Sequence, residues 1–341
     1  MVNVAMVGGE QSGKTTLASK LGKKGTESDI VLYNFVKGDN ILAIVDPVGY
    51  PKSPKPVVNA VNMSDVVLFC IAASGPDARA GECIILLDLL KPRHGIITIT
   101  RTDESSPYAV EELTKKLKAL TKGTVMENWE VIPTSTKSFE GIDRLKDRIF
   151  EVDDQLKKEY ESLNDKPVRI PIDHHFNVTG IGTVILGYVI QGTVNMRDKL
   201  TVFPIKQEAE IRSIQMQDVD VKQARSGDRV GLAVKGVQSK DLDRGFLISK
   251  QEIVADTLKL KCHTARFKGE FNAGDKVHLY VGLQSTPALV KSITGASSTA
   301  SNADYEIEMK TDKEIAYSPG DVFLLSKLDD PKQRFLARGT P

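Results

Sequence analysis

The chain has 341 residues, 40% of them hydrophobic and 27% charged, with a formal net charge of +1. That length favours two or three domains, and the composition is that of an ordinary globular chain. No apolar run approaches the roughly 20 residues of a membrane span, and bulk charge does not announce a nucleic-acid partner.

The amino terminus, MVNVAMVGG, has no basic segment before its apolar run and is not read as a signal peptide. Cys70, Cys83 and Cys262 are scattered, without metal-ligand spacing or disulfide density. A reducing cytoplasm and no membrane association are expected.

The first 150 residues alternate strands and helices. NVAMVGG (3–9) reads as a strand ending in glycines, and KTTLASKLG (14–22) as a helix stopped by Gly22. ILAIVD (41–46), DVVLFCIAA (65–73) and GIITIT (95–100) are continuous apolar runs, the mark of parallel strands covered on both faces. ECIILLDLL (82–90), YAVEELTKKLKAL (108–120) and residues 141–163 read as helices, with WEVIPTS (129–135) a further strand. This order predicts a doubly wound parallel sheet over residues 1–165.

Near residue 166 the texture changes to short alternating segments broken by glycine, such as TVILGYVIQG, KLTVFPI and DRVGLAVKG. They predict a β-barrel over 166–250, and a similar pattern predicts a second over 251–341. GASSTASNAD (295–304) reads as an exposed hairpin loop. Residues 1–166 hold 22 basic and 24 acidic residues, 167–250 hold 12 and 9, and 251–341 hold 12 and 12.

Residues 8–15, GGEQSGKT, match the phosphate-binding pattern G-x-x-x-x-G-K-[ST], with a strand before and a helix after. Gly8, Gly9, Glu10, Gln11, Ser12 and Gly13 would wrap backbone N–H groups around phosphates, with Thr16 beside them. Lys14 would neutralise phosphate charge, and the Thr15 hydroxyl would hold Mg²⁺. Asp46 ends a later strand as a second Mg²⁺ carboxylate should, and Gly49 could offer its N–H to a terminal phosphate. A plain Asp-Pro turn is the alternative there.

TRTD (100–103) stands where GTPases usually carry Asn-Lys-x-Asp. Asp103 would accept from guanine, Arg101 would stack on the base, and Thr100 replaces the Asn. An ordinary turn is the alternative, and Thr100 leaves room for a changed base preference, though Asp103 argues against ATP. Ser135 and Thr136, in TSTK (134–137), would meet the guanine O6.

The order of these motifs resembles the translational GTPases of the EF-Tu/SelB group. Residues 173–204, 212–216 and 226–249 also look like that group's second domain. A P-loop domain followed by two β-barrels covers essentially the whole chain. Without a further carboxy-terminal domain, the chain is most similar to the truncated, EF-Pyl-type SelB-like factors of methanogenic archaea.

The resemblance implies GTP and GDP as ligands with Mg²⁺, and aminoacyl-tRNA and the ribosome as partners. It also implies a monomer with no DNA partner. Two departures bear on turnover. Tyr50 stands where the family's Asp-x-Pro-Gly-His carries the water-positioning histidine, and a phenol with a pKa near 10 is a poor imidazole. The first switch shrinks to GTESD (25–29), with Thr26 read as the metal threonine and Ser28 as the runner-up. A plain loop threonine is equally compatible. Slow hydrolysis is expected, and the contrasting reading is a nucleotide-binding regulatory or scaffold protein that has lost turnover.

Overall fold

The computed structural model describes residues 1–38, 40–266, 271–295, 301–330 and 333–341; within them, the side chains at 26, 27, 37 and 40 lie outside the description. Residues 296–300 of the GASSTASNAD loop also fall outside the described residues. The chain divides into two compact units. The first is Met1–Gln155 with Ala265–Gly269 and Ser326–Arg338; the second is Leu156–Thr264, Glu270–Leu325 and Gly339–Pro341.

In the first unit, strands β1 (Val2–Val7), β2 (Lys23–Glu27), β3 (Val31–Lys37), β4 (Asn40–Asp46), β5 (Val66–Ala72), β6 (His94–Thr100) and β7 (Glu130–Pro133) form one sheet in the order β2-β3-β4-β1-β5-β6-β7. The run β4-β1-β5-β6-β7 is parallel. Every residue of β1 is buried, its one polar residue Asn3 included, as is all of β5 but its last residue, which is why β5 reads as an unbroken apolar run. Their carboxyl ends bring residues 8, 46, 72 and 100 to one edge of the sheet, where an open α/β sheet binds ligands.

Helices α1 (Lys14–Leu21), α2 (Lys55–Asn62), α3 (Ala78–Leu90) and α4 (Pro107–Thr121) supply the connections, and α5 (Ile142–Leu163) follows β7. The Asp77 side chain caps α3 by accepting from the Ala80 amide, and Ser106 caps α4 ahead of Pro107. Two features depart from the sequence expectation. Residues 23–37 form the antiparallel pair β2 and β3 on the edge of the sheet, not only a switch loop. Residues 55–62 form a helix because Pro54 stands at its N-cap and Pro56 in its first turn, where no N–H partner is lost.

Two barrels follow in the chain. The first uses β8 (Arg169–Val178), β9 (Gly182–Tyr188), β11 (Lys199–Phe203), β12 (Gln207–Met216), β15 (Arg229–Lys235) and β16 (Leu247–Ser249). The ring order is β11-β16-β8-β9-β15-β12, closed by β12 pairing with β11. Strand β13 (Val219–Val221) extends β12, while β10 (Thr193–Asn195) and β14 (Gln223–Arg225) pair separately. Alternating inward residues such as Ile170, Ile185, Leu200, Ile211 and Leu232 fill its core.

The second barrel closes β17 (Ile253–Thr264), β20 (Asp304–Tyr317), β19 (Gln284–Gly295), β18 (Lys276–Val281), β21 (Phe323–Ser326) and β22 (Phe335–Thr340) in that order. Within the second unit, Arg169 of the first barrel donates to Glu252 at 2.7 Å and to Asp321 at 2.7 Å, joining the two barrels through a buried ion cluster. Asp173 is the centre of another buried ion cluster, this one within the first barrel. It accepts from Arg244 at 2.7 Å and Arg229 at 3.2 Å, and lies 3.3 Å from the His174 ring. Burial would raise its pKa, but His174 and the two guanidiniums pull it down to about 2. Among the described residues no helix is long and apolar enough to cross a membrane.

Candidate nucleotide site

The phosphate loop runs from the end of β1 into α1. Gly13 takes the N-cap position of α1 at φ +75°, and a Cβ there would approach the Thr100 hydroxyl oxygen to 2.7 Å, so only glycine fits. The Ser12 hydroxyl and the Lys14 ammonium both donate to the Gly9 carbonyl, at 2.9 and 3.0 Å. Lys14 is buried, so its charge already faces the concave side of the loop, while Glu10, Gln11, Thr15 and Thr16 are exposed.

Thr100 has a use that spacing alone did not disclose. Its hydroxyl donates to the Ser12 carbonyl at 2.6 Å, tying the end of β6 to the phosphate loop. The short side chain that weakens the match to a base-reading motif is thus a brace. Arg101, in left-handed conformation at φ 57°, opens the turn that carries Asp103. Asp103 and Ser135 are brought together, the Ser135 hydroxyl donating to Asp103 at 2.6 Å. That bond holds the Asp103 carboxyl below its ordinary range. Ser135 is itself fixed by the Lys137 and Ser138 amides, with Thr136 half-buried beside it.

Asp46 is fully buried at the end of β4, and neither carboxylate oxygen meets hydrogen-bond geometry with any described group. Burial pushes its carboxyl above the usual range, against the opposing pull of the Thr15 hydroxyl and the Lys14 ammonium. An unsatisfied buried carboxylate is costly unless something comes to meet it. Hard oxygen donors at Asp46 and Thr15 suit a small divalent cation such as Mg²⁺. The Thr26 side chain lies outside the described residues. Ser28 is occupied locally, accepting from the Ile30 amide and donating to Asp29.

Residues 49 and 50 sit differently from their sequence reading. The Gly49 amide donates to the Asp29 carbonyl at 3.3 Å. Tyr50 is 3% exposed, and its hydroxyl donates to Glu82 at 2.8 Å. Glu82 also accepts from Arg334 at 2.6 Å and from Arg79 at 3.3 Å, and Arg334 donates to the Pro51 carbonyl at 2.7 Å. The Arg334 guanidinium lies 5.6 Å from the centre of the Tyr50 ring.

Burial would raise the Glu82 carboxyl, but the hydrogen bonds from Arg334 and Tyr50 hold it below the ordinary range. Burial and the neighbouring Cys83 and Glu82 push the Tyr50 phenol up, and burial takes the Cys83 thiol to about 12. Tyr50 is therefore a neutral donor engaged inside the protein. Glu82 and Arg334 were not anticipated. An acid at the head of the apolar run ECIILLDLL was the available signal for the first, and nothing pairs it locally with a residue 252 positions away.

A closed glycine loop, a braced base-side turn and a buried carboxylate that no described group meets at hydrogen-bonding geometry, followed in the chain by two barrels, define a P-loop nucleotide-binding protein with β-barrel appendages. The family model described as "Elongation factor Tu domain 2" matches residues 182–249. The chain is 32% identical over 315 residues to the uncharacterized protein MJ0325 of Methanocaldococcus jannaschii, covering 91% of each chain. It is 30% identical to the selenocysteine-specific elongation factor of the same organism, over 92% of this chain and 68% of that one. The crystal structure of elongation factor SelB from Methanococcus maripaludis in complex with the GTP analogue GppNHp superposes with a TM-score of 0.85 at 26% identity, covering 99% of this chain and 78% of that one. The chain belongs to the SelB-like group of translational GTPases, within the wider class of EF-Tu-like elongation factors.

Proposed function

We propose that this chain is a GTP-binding translation factor that carries a specialised aminoacyl-tRNA to the ribosome and hydrolyses GTP slowly on its own. The observation that carries the nucleotide reading is Asp46, buried beside Lys14 and Thr15 and met by no described group at hydrogen-bonding geometry. With nucleotide bound, Mg²⁺ would supply electrostatic stabilisation of the phosphates, held by Thr15 and Asp46, with Thr26 the proposed third contributor. The loop from Gly8 to Thr16 wraps the phosphates. Asp103, pre-oriented by Ser135, accepts from guanine, while Arg101 and Thr136 border the base.

Slow turnover follows from Tyr50, whose hydroxyl donates to Glu82. A neutral phenol held by a carboxylate is not placed to orient water. The carrier role rests on family membership across nine-tenths of the chain. We take residues 1–165, 166–250 and 251–341 as its three domains, and the protein as a cytoplasmic monomer acting without membrane or DNA.

Equilibrium titration of nucleotide-free protein with GTP, GDP and ATP in Mg²⁺ tests the site. Selective guanine binding is expected, and base-indifferent binding would overturn the role of Asp103. Protection of an aminoacyl ester in the presence of GTP, and not GDP, tests the carrier role. Equal protection by both nucleotides would refute it. The engagement of both Gly49 and Tyr50 within the protein favours one second reading, a regulatory or scaffold protein without turnover. Robust ribosome-stimulated hydrolysis would eliminate that reading.

A further inference from the structure

The outer edge of the first sheet carries a feature that the nucleotide site does not use. A groove of about 620 Å³ opens between the carboxyl end of α1, the strands β2 and β3, and α5. Among the described residues, Lys20, Lys23, Lys24 and Lys146 line it, and no acidic side chain does. The surrounding segment has more acids than bases overall, so this is a local concentration of positive charge against its background.

Aromatic surface accompanies the lysines. The Lys20 ammonium lies 5.2 Å from the centre of the Phe139 ring, and Lys146 lies 4.9 Å from that of Phe35. Phe139 is 60% exposed and Val36 61%, a large apolar area for such a charged surface. A lysine resting on a ring has already given up part of its hydration and rotamer freedom, so less remains to be lost when a phosphate arrives.

We infer that this groove binds single-stranded RNA, the lysines tracking phosphates and the exposed Phe139 ring accepting an unstacked base. Bases are free to stack on side chains only where the strand is unpaired. Asn34, an exposed lining residue, offers a donor and an acceptor for a ribose 2′-hydroxyl. A peptide adding to the edge is disfavoured, because the pairing of β2 slips register between Lys24 and Glu27 and the edge is a poor template. The inference does not depend on the carrier role, which concerns a tRNA held for delivery.

The test is fluorescence anisotropy of a labelled oligouridine of about 12 nucleotides, within the usual site size, on the full-length protein over a salt series. The variant K20A/K23A/K146A should lower the salt slope by about 2, since each phosphate neutralised on a single strand contributes roughly 0.7, while K20R/K23R/K146R keeps the slope. Phe139→Ala should weaken binding about five- to a hundredfold with little change of slope. An unchanged slope in the alanine variant overturns the inference, as does tighter binding of an acidic peptide than of oligouridine. Aminoacyl-ester protection measured on the same variants separates the two ideas: it should stay at the wild-type level in the alanine variant. If protection fails in the wild type while the slope still falls as stated, the carrier role fails and the groove stands.

Discussion

Asp46 and Glu82 are both carboxylates of the first unit, 0% and 4% exposed, and they have opposite fates. Glu82 accepts from Tyr50, Arg79 and Arg334 and is held ionised. Asp46 accepts from no described group at hydrogen-bonding geometry, and its carboxyl is pushed toward the neutral form. Equal burial therefore does not mean equal purpose. A carboxylate saturated by its own protein is a clamp, whereas one left with its capacity unspent is, on the reading proposed above, available to a ligand from outside.

The comparison breaks most visibly at Arg334. Arg334→Ala leaves Glu82 buried without its main partner and should cost about 3–5 kcal/mol, read as a lower denaturant midpoint of the first unit. Replacing both, as in E82Q/R334M, should recover much of that loss. If the single variant is as stable as wild type, Glu82 is no clamp.

Asp46→Asn should act in the opposite sense. The free protein should be at least as stable as wild type, while Mg²⁺-dependent GTP affinity falls about 10- to 100-fold, measured by titration. Loss of stability without loss of affinity would reverse the assignment.

Asp173 extends the comparison to a barrel. Its folded pKa of about 2 lies below the ordinary 3.8, so its contribution is fully present above the unfolded value and is lost as pH falls through the folded one. Acid titration of the unfolding midpoint should show a loss of about 2 kcal/mol in that window. Replacing Asp173 with Asn should remove that part of the pH dependence. The smallest effect is expected at Thr100. Thr100→Val removes the hydrogen bond to Ser12 and should weaken GTP binding by about 1 kcal/mol, roughly fivefold, with the fold unchanged.

The parts legible in the sequence were those whose cause is local. Apolar runs marked β4, β5 and β6, because strands covered on both faces need nothing else. The glycine loop was legible because Gly13 must take a conformation other residues avoid. What stayed hidden was decided at long range. Tyr50 reads as a poor catalyst from its chemistry, but its engagement with Glu82 depends on an arginine near the other end of the chain. Thr100 reads as a defect until Ser12 lies beneath it. The strands β2 and β3 escaped notice because Lys23–Glu27 has no apolar alternation of its own and takes its shape from β3.

On the reading proposed above, the bond between the Gly49 amide and the Asp29 carbonyl would turn discrimination between GTP and GDP into an exchange. On the proposed reading, a third phosphate meets an amide that already has an acceptor. One hydrogen bond is surrendered as another forms, so the net gain is the difference between a charged and a neutral acceptor, on the order of 1 kcal/mol. Such a protein would register the third phosphate faintly through this contact, and would depend on its cargo or the ribosome to turn that faint preference into a decision.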